Sequence, residues 1–383
     1  MSRWCAFWLV TAMTVSVLVG STATAPAPAA AAPRVLDTVC DNMHTLGKLT
    51  QGSRERARSI MRGRVDLGQY GVLRLPRNPT WRPQRGLDLA GDRYQNSLHW
   101  ALPLLKRGLI DGGRDGAAMR ARFRYLLHDW VRDHPRGKRG YWVNHPQYAG
   151  FRLGTWVCSY RLLKRDSTRR WVAKQMRYDL KVALRGYSPY ANNTMLNLQL
   201  SAYAAAREVG SRAQVREARG HVLALERRLV RGDGSDREGA PGYGLYFATI
   251  MYRTANVFEA YHANGAAGKT RHAIAEQSSF VAHASRPDRR LVTIGDTRLQ
   301  KIPDVFASSS AAGWVRTGGR KGHHPRKKYT RWSGGYAFGR SGWVAGRDRS
   351  STFYSVRTNH APTLGAHRHS DTTGVTVYAD GVA

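Results

Sequence analysis

Gly232-Asp233-Gly234-Ser235-Asp236-Arg237-Glu238-Gly239-Ala240-Pro241-Gly242-Tyr243-Gly244-Leu245-Tyr246 separates a basic amphipathic run from an aromatic one. Five glycines and one proline in fifteen residues preclude a continuous helix, so the stretch reads as a loop between two helices. It carries three carboxylates, one arginine and two tyrosines three residues apart. With the next helix begun by Tyr243, Tyr243 and Tyr246 stand one turn apart and share a face.

Outward from the loop, the periodicity is helical on both sides. Residues 98–109, 117–132, 151–164, 168–184, 194–209, 213–231 and 243–263 each carry apolar side chains at three- and four-residue spacing. The connections are short and bear Gly or Pro, which makes successive helices antiparallel neighbours. Residues 35–63 have a weaker helical pattern, and 67–92 read as an exposed connection packed by Trp81. Hairpins in this number predict an (α/α) toroid.

Beyond about residue 286 the period changes. Segments 291–296, 332–339, 343–346, 352–357 and 375–379 are short, β-branched or aromatic, and punctuated by Gly and charge, as strands are. Residues 318–328 are basic and read as a solvated hairpin tip. The expected fold class is α+β multidomain: a toroid over 33–285, then an antiparallel β-sandwich over 286–383 that looks incomplete, as in a truncated reading frame.

Charge and leader narrow the function. Lys and Arg number 61 against 26 Asp and Glu, a net +35, which favours nucleic acid, anionic lipid or polyanionic glycan as partner. Arg3, the apolar run 5–19 and the small residues after it read as a signal peptide within 1–32, cleaved between Ala23 and Ala32. A secreted protein is expected, which argues against nucleic acid. No later run approaches the ~18 apolar residues of a span, so no membrane contact is expected after cleavage. Cys5 leaves with the leader, and Cys40 and Cys158 form either one disulfide or two separate buried thiols.

Two further clusters carry chemistry. Asn192 and Asn193 stand at a helix start, where one serves as N-cap and the other can hold a carboxylate or a developing anion. His367-Arg368-His369-Ser370-Asp371 places two imidazoles on one side of an extended segment, suiting a metal site or a base with its orienting partner.

The ordered set resembles the heparinase II/III-like polysaccharide lyases. The matching stretches are Gly150-Phe151-Arg152-Leu153-Gly154-Thr155-Trp156, the Asn192-Asn193 start, the loop from Asp233 to Tyr246, and Ile294-Gly295-Asp296-Thr297. Gly334-Gly335-Tyr336-Ala337-Phe338, the histidine cluster and Val377-Tyr378-Ala379-Asp380-Gly381 complete it. The resemblance implies an (α/α) toroid joined to a β-sandwich, and β-elimination on an acidic, uronate-containing glycan. It implies Asn192 or Asn193 as the group neutralising the uronate carboxylate, Tyr243 or Tyr246 as acid or base, and His367 as a catalytic histidine. Arg237 and Glu238 are the implied substrate contacts, with Glu238 orienting the tyrosine loop. No cofactor is required; a structural zinc or calcium ion in the β domain is admitted, with His369 a ligand. Many relatives carry His where this chain has Thr194 and Gly244. Two other functions compete: a catalytically degenerate binder of anionic polysaccharide, and a glycoside hydrolase using the paired carboxylates of the loop.

Overall fold

Apolar stripes at helical spacing leave each helix with one face to bury, and here those faces close around a shared core. The computed structural model describes residues 37–43, 53–82, 84, 87, 89–134, 144–163, 167–189, 192–343, 345, 351–358 and 374–379. The helices are α1 (Thr38–Met43), α2 (Arg54–Met61), α3 (Leu89–Ser97), α4 (Leu102–Asp111), α5 (Gly113–Asp133) and α6 (Pro146–Leu162). They continue as α7 (Thr168–Arg185), α8 (Asn193–Val209), α9 (Arg212–Leu229), α10 (Pro241–Ala260), α11 (Asn264–His283) and α12 (Ala311–Thr317). A short hairpin joins β1 (Arg64–Asp66) to β2 (Val72–Arg74). The main sheet is wholly antiparallel, in the order β3 (Tyr329–Trp332), β4 (Tyr336–Arg340), β5 (Phe353–Arg357), β6 (Val375–Tyr378). The architecture is a helical toroid followed by an antiparallel β domain. No described helix is long and apolar enough to cross a membrane.

Local chemistry sets the ends of the helices around the site. Ser211 and Gln214 form a reciprocal capping box on α9, and Pro146 and Pro241 occupy first turns, where a missing N–H costs nothing. Helix α8 lies against α6, α7 and α9, and every residue from Met195 to Ala206 is buried. Its approach to α6 needs Gly150, where a Cβ would fall 2.2 Å from the Leu198 side chain. Between α6 and α7, the buried Arg152 guanidinium binds Asp179 through two bonds of 3.0 and 3.1 Å, and the Trp156 indole donates to the same carboxylate at 2.7 Å. Arg152 also lies over Trp130 at 4.5 Å.

Cys40 of α1 and Cys158 of α6 are both buried and both free thiols, and Cys158 hydrogen-bonds to Cys40. Burial, first, and then that contact push the Cys40 thiol well above its usual range. The N-terminal helix is also tied down by charge, with Arg161 bound to Asp37 at 2.9 Å and to Glu208 at 2.5 Å.

Several expected elements differ. The helix expected from 98 starts as a 3-10 turn, His99–Ala101, because Leu98 adopts a left-handed conformation (φ 61°). Helices α3, α11 and α12 were not anticipated, α12 falling inside the region expected to be all strand; α11 buries small and polar residues such as Ala267, Thr270 and Ser278, so its stripe is faint in the sequence. Residues 291–296 make one isolated bridge only, Leu291 to Ser285, since the chain turns at Gly295 (φ 55°) and Thr297 N–H bonds back to Ile294 O. The single strand expected over 332–339 is two, split by a turn at Gly335 (φ 80°). Residues 318–328 connect α12 to β3 and so are not a hairpin tip; Gly318 ends α12 in the left-handed region. Trp81 packs its connection as expected, 2% exposed, with its indole N–H on Asp129 at 2.8 Å.

Candidate active site

The loop after α9 is held at both ends of its acidic run. Asp233 accepts from the Ser235 N–H and hydroxyl at 3.0 and 2.6 Å, and from the Ser333 N–H at 2.6 Å. Burial raises the Asp233 carboxyl, but those donors outweigh it and leave its pKa lowered. Ser235 Oγ accepts from the Gly334 N–H at 3.1 Å, so the β3–β4 turn docks on the loop. Gly234 (φ 85°) permits the tight path: a Cβ there would strike the Glu276 carbonyl at 2.2 Å.

Asp236 joins loop, helix and sheet. One oxygen accepts from the Gly239 and Ala240 N–H groups at 2.7 and 3.1 Å, and the other from the Tyr336 hydroxyl at 2.8 Å. Complete burial still pushes its carboxyl up. Helix α10 then begins at Pro241, with the Gly242 N–H donating to Thr297 Oγ1 at 2.9 Å. Gly244 faces Asp236, and a Cβ added there would sit 3.2 Å from the aspartate Cβ. These bonds explain why the Asp233–Glu238, Ile294–Thr297 and Gly334–Phe338 stretches occur together: each is one side of the same joint.

The two tyrosines share a half-buried face of α10, as their spacing predicts, with rings 6.3 Å apart and nearly perpendicular. Tyr243 lies within electrostatic reach of Asp296, Glu238, Tyr246 and Tyr70. Burial first, and then the carboxylates of Asp296 and Glu238, push its hydroxyl up to about 12, so the phenol is protonated at neutral pH. Glu238, expected as a substrate contact, is completely enclosed, while Arg237 is half-buried. Burial first, then Asp236, raise the Glu238 carboxyl to about 7, opposed by a bond from the Asn193 backbone N–H. Glu238 thus bridges the start of α8 to the tyrosine face from behind.

The two asparagines divide their work. Asn192 is the cap, its side-chain oxygen accepting from the Met195 N–H at 2.7 Å. Asn193 is the first helical residue, half-buried, with Thr194 Oγ1 donating to its side chain at 3.1 Å. Asn192→Ala is therefore expected to cost about 0.5–2 kcal/mol of stability. Asn193→Ala is expected to leave stability near the wild type, and urea unfolding of both variants distinguishes the roles.

Sequence reasoning missed part of this wall. Tyr70, in the 3-10 turn Gly68–Tyr70, packs on Tyr94 of α3 with ring centroids 4.6 Å apart and a hydrogen bond between the side chains. Tyr94 feels Tyr246 and Arg93, and Arg253 feels Tyr246. His99 is buried, meets the edge of Tyr94 at 5.4 Å, and is held neutral, its pKa lowered by burial to about 3. Tyr70 lies in the stretch 67–92 read as an exposed connection, and Arg93 and Tyr94 fall just beyond it, where no pattern marks them. His367 and His369 lie outside the described residues. Among the described residues no group of three or more His, Cys, Asp or Glu side chains is arranged to hold a metal ion.

No protein-family model and no curated protein matches the sequence. Among solved structures, the chain is similar to a heparinase III gene product at 17% identity and a TM-score of 0.65, over 91% of this chain and 59% of that one. The heparan sulfate lyase HepC from Pedobacter heparinus matches at 18% identity and a TM-score of 0.64, over 90% and 57%. The fold is heparinase-like. The chain spans about three-fifths of the length of these heparinase-like structures. At such identities the shared property is the course of the backbone, which brings the Asn193 helix start and the tyrosine loop of this chain to one place.

A pH dependence follows from Glu238 within this heparinase-like frame. Its pKa is raised in the folded state, so between 4.5 and about 7 the native protein holds a proton that the unfolded chain releases. That contribution to stability is complete below 4.5 and is lost as pH rises through about 7. Glu238→Gln keeps the shape and removes the titration. Subtracting its urea midpoints from those of the wild type over pH 4–8 is expected to give a difference that grows in favour of the variant as pH rises. A flat difference would mean that Glu238 titrates normally.

Proposed function

We propose that the chain is a secreted polysaccharide lyase that cleaves an acidic, uronate-containing glycan, heparan-like or alginate-like, by β-elimination. One observation carries the reading: Tyr243, the enclosed Glu238 and the Asn193 end of α8 meet in a heparinase-like fold. The names of the similar solved structures, heparinase III and heparan sulfate lyase, support the glycan class.

Elimination sets three tasks. The C5 proton is weakly acidic until the adjoining carboxylate is neutralised, and Asn193, whose side chain is not the cap, takes that role. A base removes the proton; His367 is assigned to it from the resemblance. The C5–H electrons form the C4–C5 double bond, the C4–O bond breaks, and the leaving oxygen takes a proton. Tyr243, protonated at neutral pH, supplies it. Glu238 holds the asparagine and tyrosine elements in register, and Arg93 and Arg253 lend the wall positive charge beside the tyrosines.

The test is a panel of uronans with ultraviolet detection, because elimination leaves a conjugated unsaturated uronate and hydrolysis does not. Absorbance rising with one uronan supports the lyase. Binding with no absorbing product on any uronan would identify the degenerate binder instead. The +35 charge also predicts that affinity for polyuronates falls from low to high salt, as the screening length shrinks from about 30 Å at 0.01 M to about 3 Å at 1 M. Unchanged affinity across that range, in a calorimetric titration, would remove electrostatic steering from the account.

A further inference from the structure

Helix α7 presents a charged face on residues that the tyrosine site does not use. Its exposed residues are Arg170, Lys174, Arg177, Lys181 and Arg185, and every one is a cation. At steps of four, three, four and four residues they fall within an arc of about 80° and form one row, about 22 Å from end to end. The helix has a single carboxylate, Asp179, which lies on the opposite side, buried against Arg152. Among the described residues none of the five cations forms an ion pair; Arg177 Nε donates to the Val209 carbonyl at 3.4 Å.

A solvated helix face ordinarily mixes signs, because opposite charges one turn apart attract and like charges there repel. Helix α9 does so, with Glu217 among its exposed arginines. In α7, by contrast, Arg170 and Lys174, Arg177 and Lys181, and Lys181 and Arg185 are like charges four residues apart. An anion laid along the row relieves that repulsion. Between Lys174, Arg177 and Lys181 the surface opens into a groove with about 260 Å³ of water-accessible space, lined also by Gln175 and the half-buried Tyr178. The row has a direction relative to the candidate active site. Gln199 of α8 donates to the Ala183 carbonyl at 3.1 Å, so the two helices run antiparallel and Arg185 lies at the end where Asn193 begins α8.

We propose that the cationic row of α7 binds a linear anionic polysaccharide outside the site that holds the scissile bond. The choice of a glycan rests on the lyase reading; the surface itself selects a polyanion with its charges in single file. Successive cations rise about 4.5–6 Å along the axis, the scale on which each sugar of a uronan adds one carboxylate. A nucleic-acid duplex presents two rows of phosphates, and single strands bind by stacking bases on exposed aromatic rings, of which this face has none. Helices that lie on anionic bilayers also bury apolar side chains, and α7 exposes no large one. A polymer held on the row keeps its adjoining segment beside the Asn193 end of α8.

The experiment titrates long heparan sulfate and alginate chains into the full chain by calorimetry, in a Tyr243→Phe background that keeps binding apart from cleavage. The titration is read whatever the ultraviolet assay gives, so failure of the lyase reading and failure of the row are separate results. Lys174→Gln, Arg177→Gln and Lys181→Gln together are expected to weaken binding of at least one of the two polymers about tenfold, the scale of three solvated charge contacts. Glutamine is a good helix former, so the circular dichroism spectrum is expected to be unchanged. Arg114→Gln, Arg216→Gln and Lys269→Gln, exposed on α5, α9 and α11, remove the same charge elsewhere and are expected to weaken binding much less. An equal loss in that control would assign the binding to the diffuse +35 field and overturn the proposal. Affinity unaltered by the α7 substitutions would overturn it too, as would row-dependent binding of duplex DNA or phosphatidylglycerol vesicles tighter than that of either polysaccharide.

Discussion

Tyr243→Phe is expected to lower the rate of elimination by about 10²–10⁴-fold, the usual loss for a general acid or base, while leaving the fold intact. The substitution removes one hydroxyl and keeps the ring that stands 6.3 Å from Tyr246. Its size follows from protonation. With its hydroxyl pushed up to about 12, Tyr243 holds its proton at the pH of the assay and can surrender it only to a more basic atom, the departing glycosidic oxygen. Single-turnover rates on the uronan that gives the ultraviolet signal measure the loss, with circular dichroism as the control. Tyr246→Phe is the companion. Full activity in the Tyr243 variant with loss in the Tyr246 variant would move the acid one turn along α10; activity in both would remove the loop from the chemistry.

Asp179→Ala is expected to destabilise the chain by about 3–5 kcal/mol, because it strands a buried guanidinium. Arg152 and Asp179 are both fully buried, and Trp156 loses its acceptor in the same change. The urea midpoint is expected to fall with little change in slope. Arg152→Met together with Asp179→Leu is expected to recover much of that loss, since replacing both charges removes the desolvation penalty as well as the attraction. A loss below about 1 kcal/mol in the single variant would place the pair in the range of solvated surface bridges. This prediction also assigns the Gly150–Trp156 stretch to architecture. Its glycine admits Leu198, its arginine and tryptophan converge on Asp179, and none of the three is needed to explain chemistry.

Local pattern was enough for the helices with strong apolar stripes, for the strands over 353–357 and 375–378, and for the pairing of Tyr243 with Tyr246. Each depends on residues close in sequence: 3.6-residue periodicity, β-branched runs, or one turn of helix. The N-cap choice between Asn192 and Asn193 was open in the sequence, because either side chain can reach an N–H two or three residues on. The backbone settled it, with extended geometry at Asn192 and helical geometry from Asn193. Helix α11 escaped notice because its buried face is small and partly polar, and the 291–296 segment misled because β-branched residues there end in turns.

What only the tertiary structure decided is how distant segments share a charge or a hydrogen bond. Ser333 and Gly334 close the acidic loop about a hundred residues after Asp233 and Ser235. The Asn193 N–H meets Glu238, and Tyr70 and Tyr94 reach the tyrosine face from the far end of the chain. Burial set the protonation of Glu238 and Tyr243, and burial belongs to the folded whole. A sequence states which groups can titrate; only the packed chain determines how much water they lose and which charges they face.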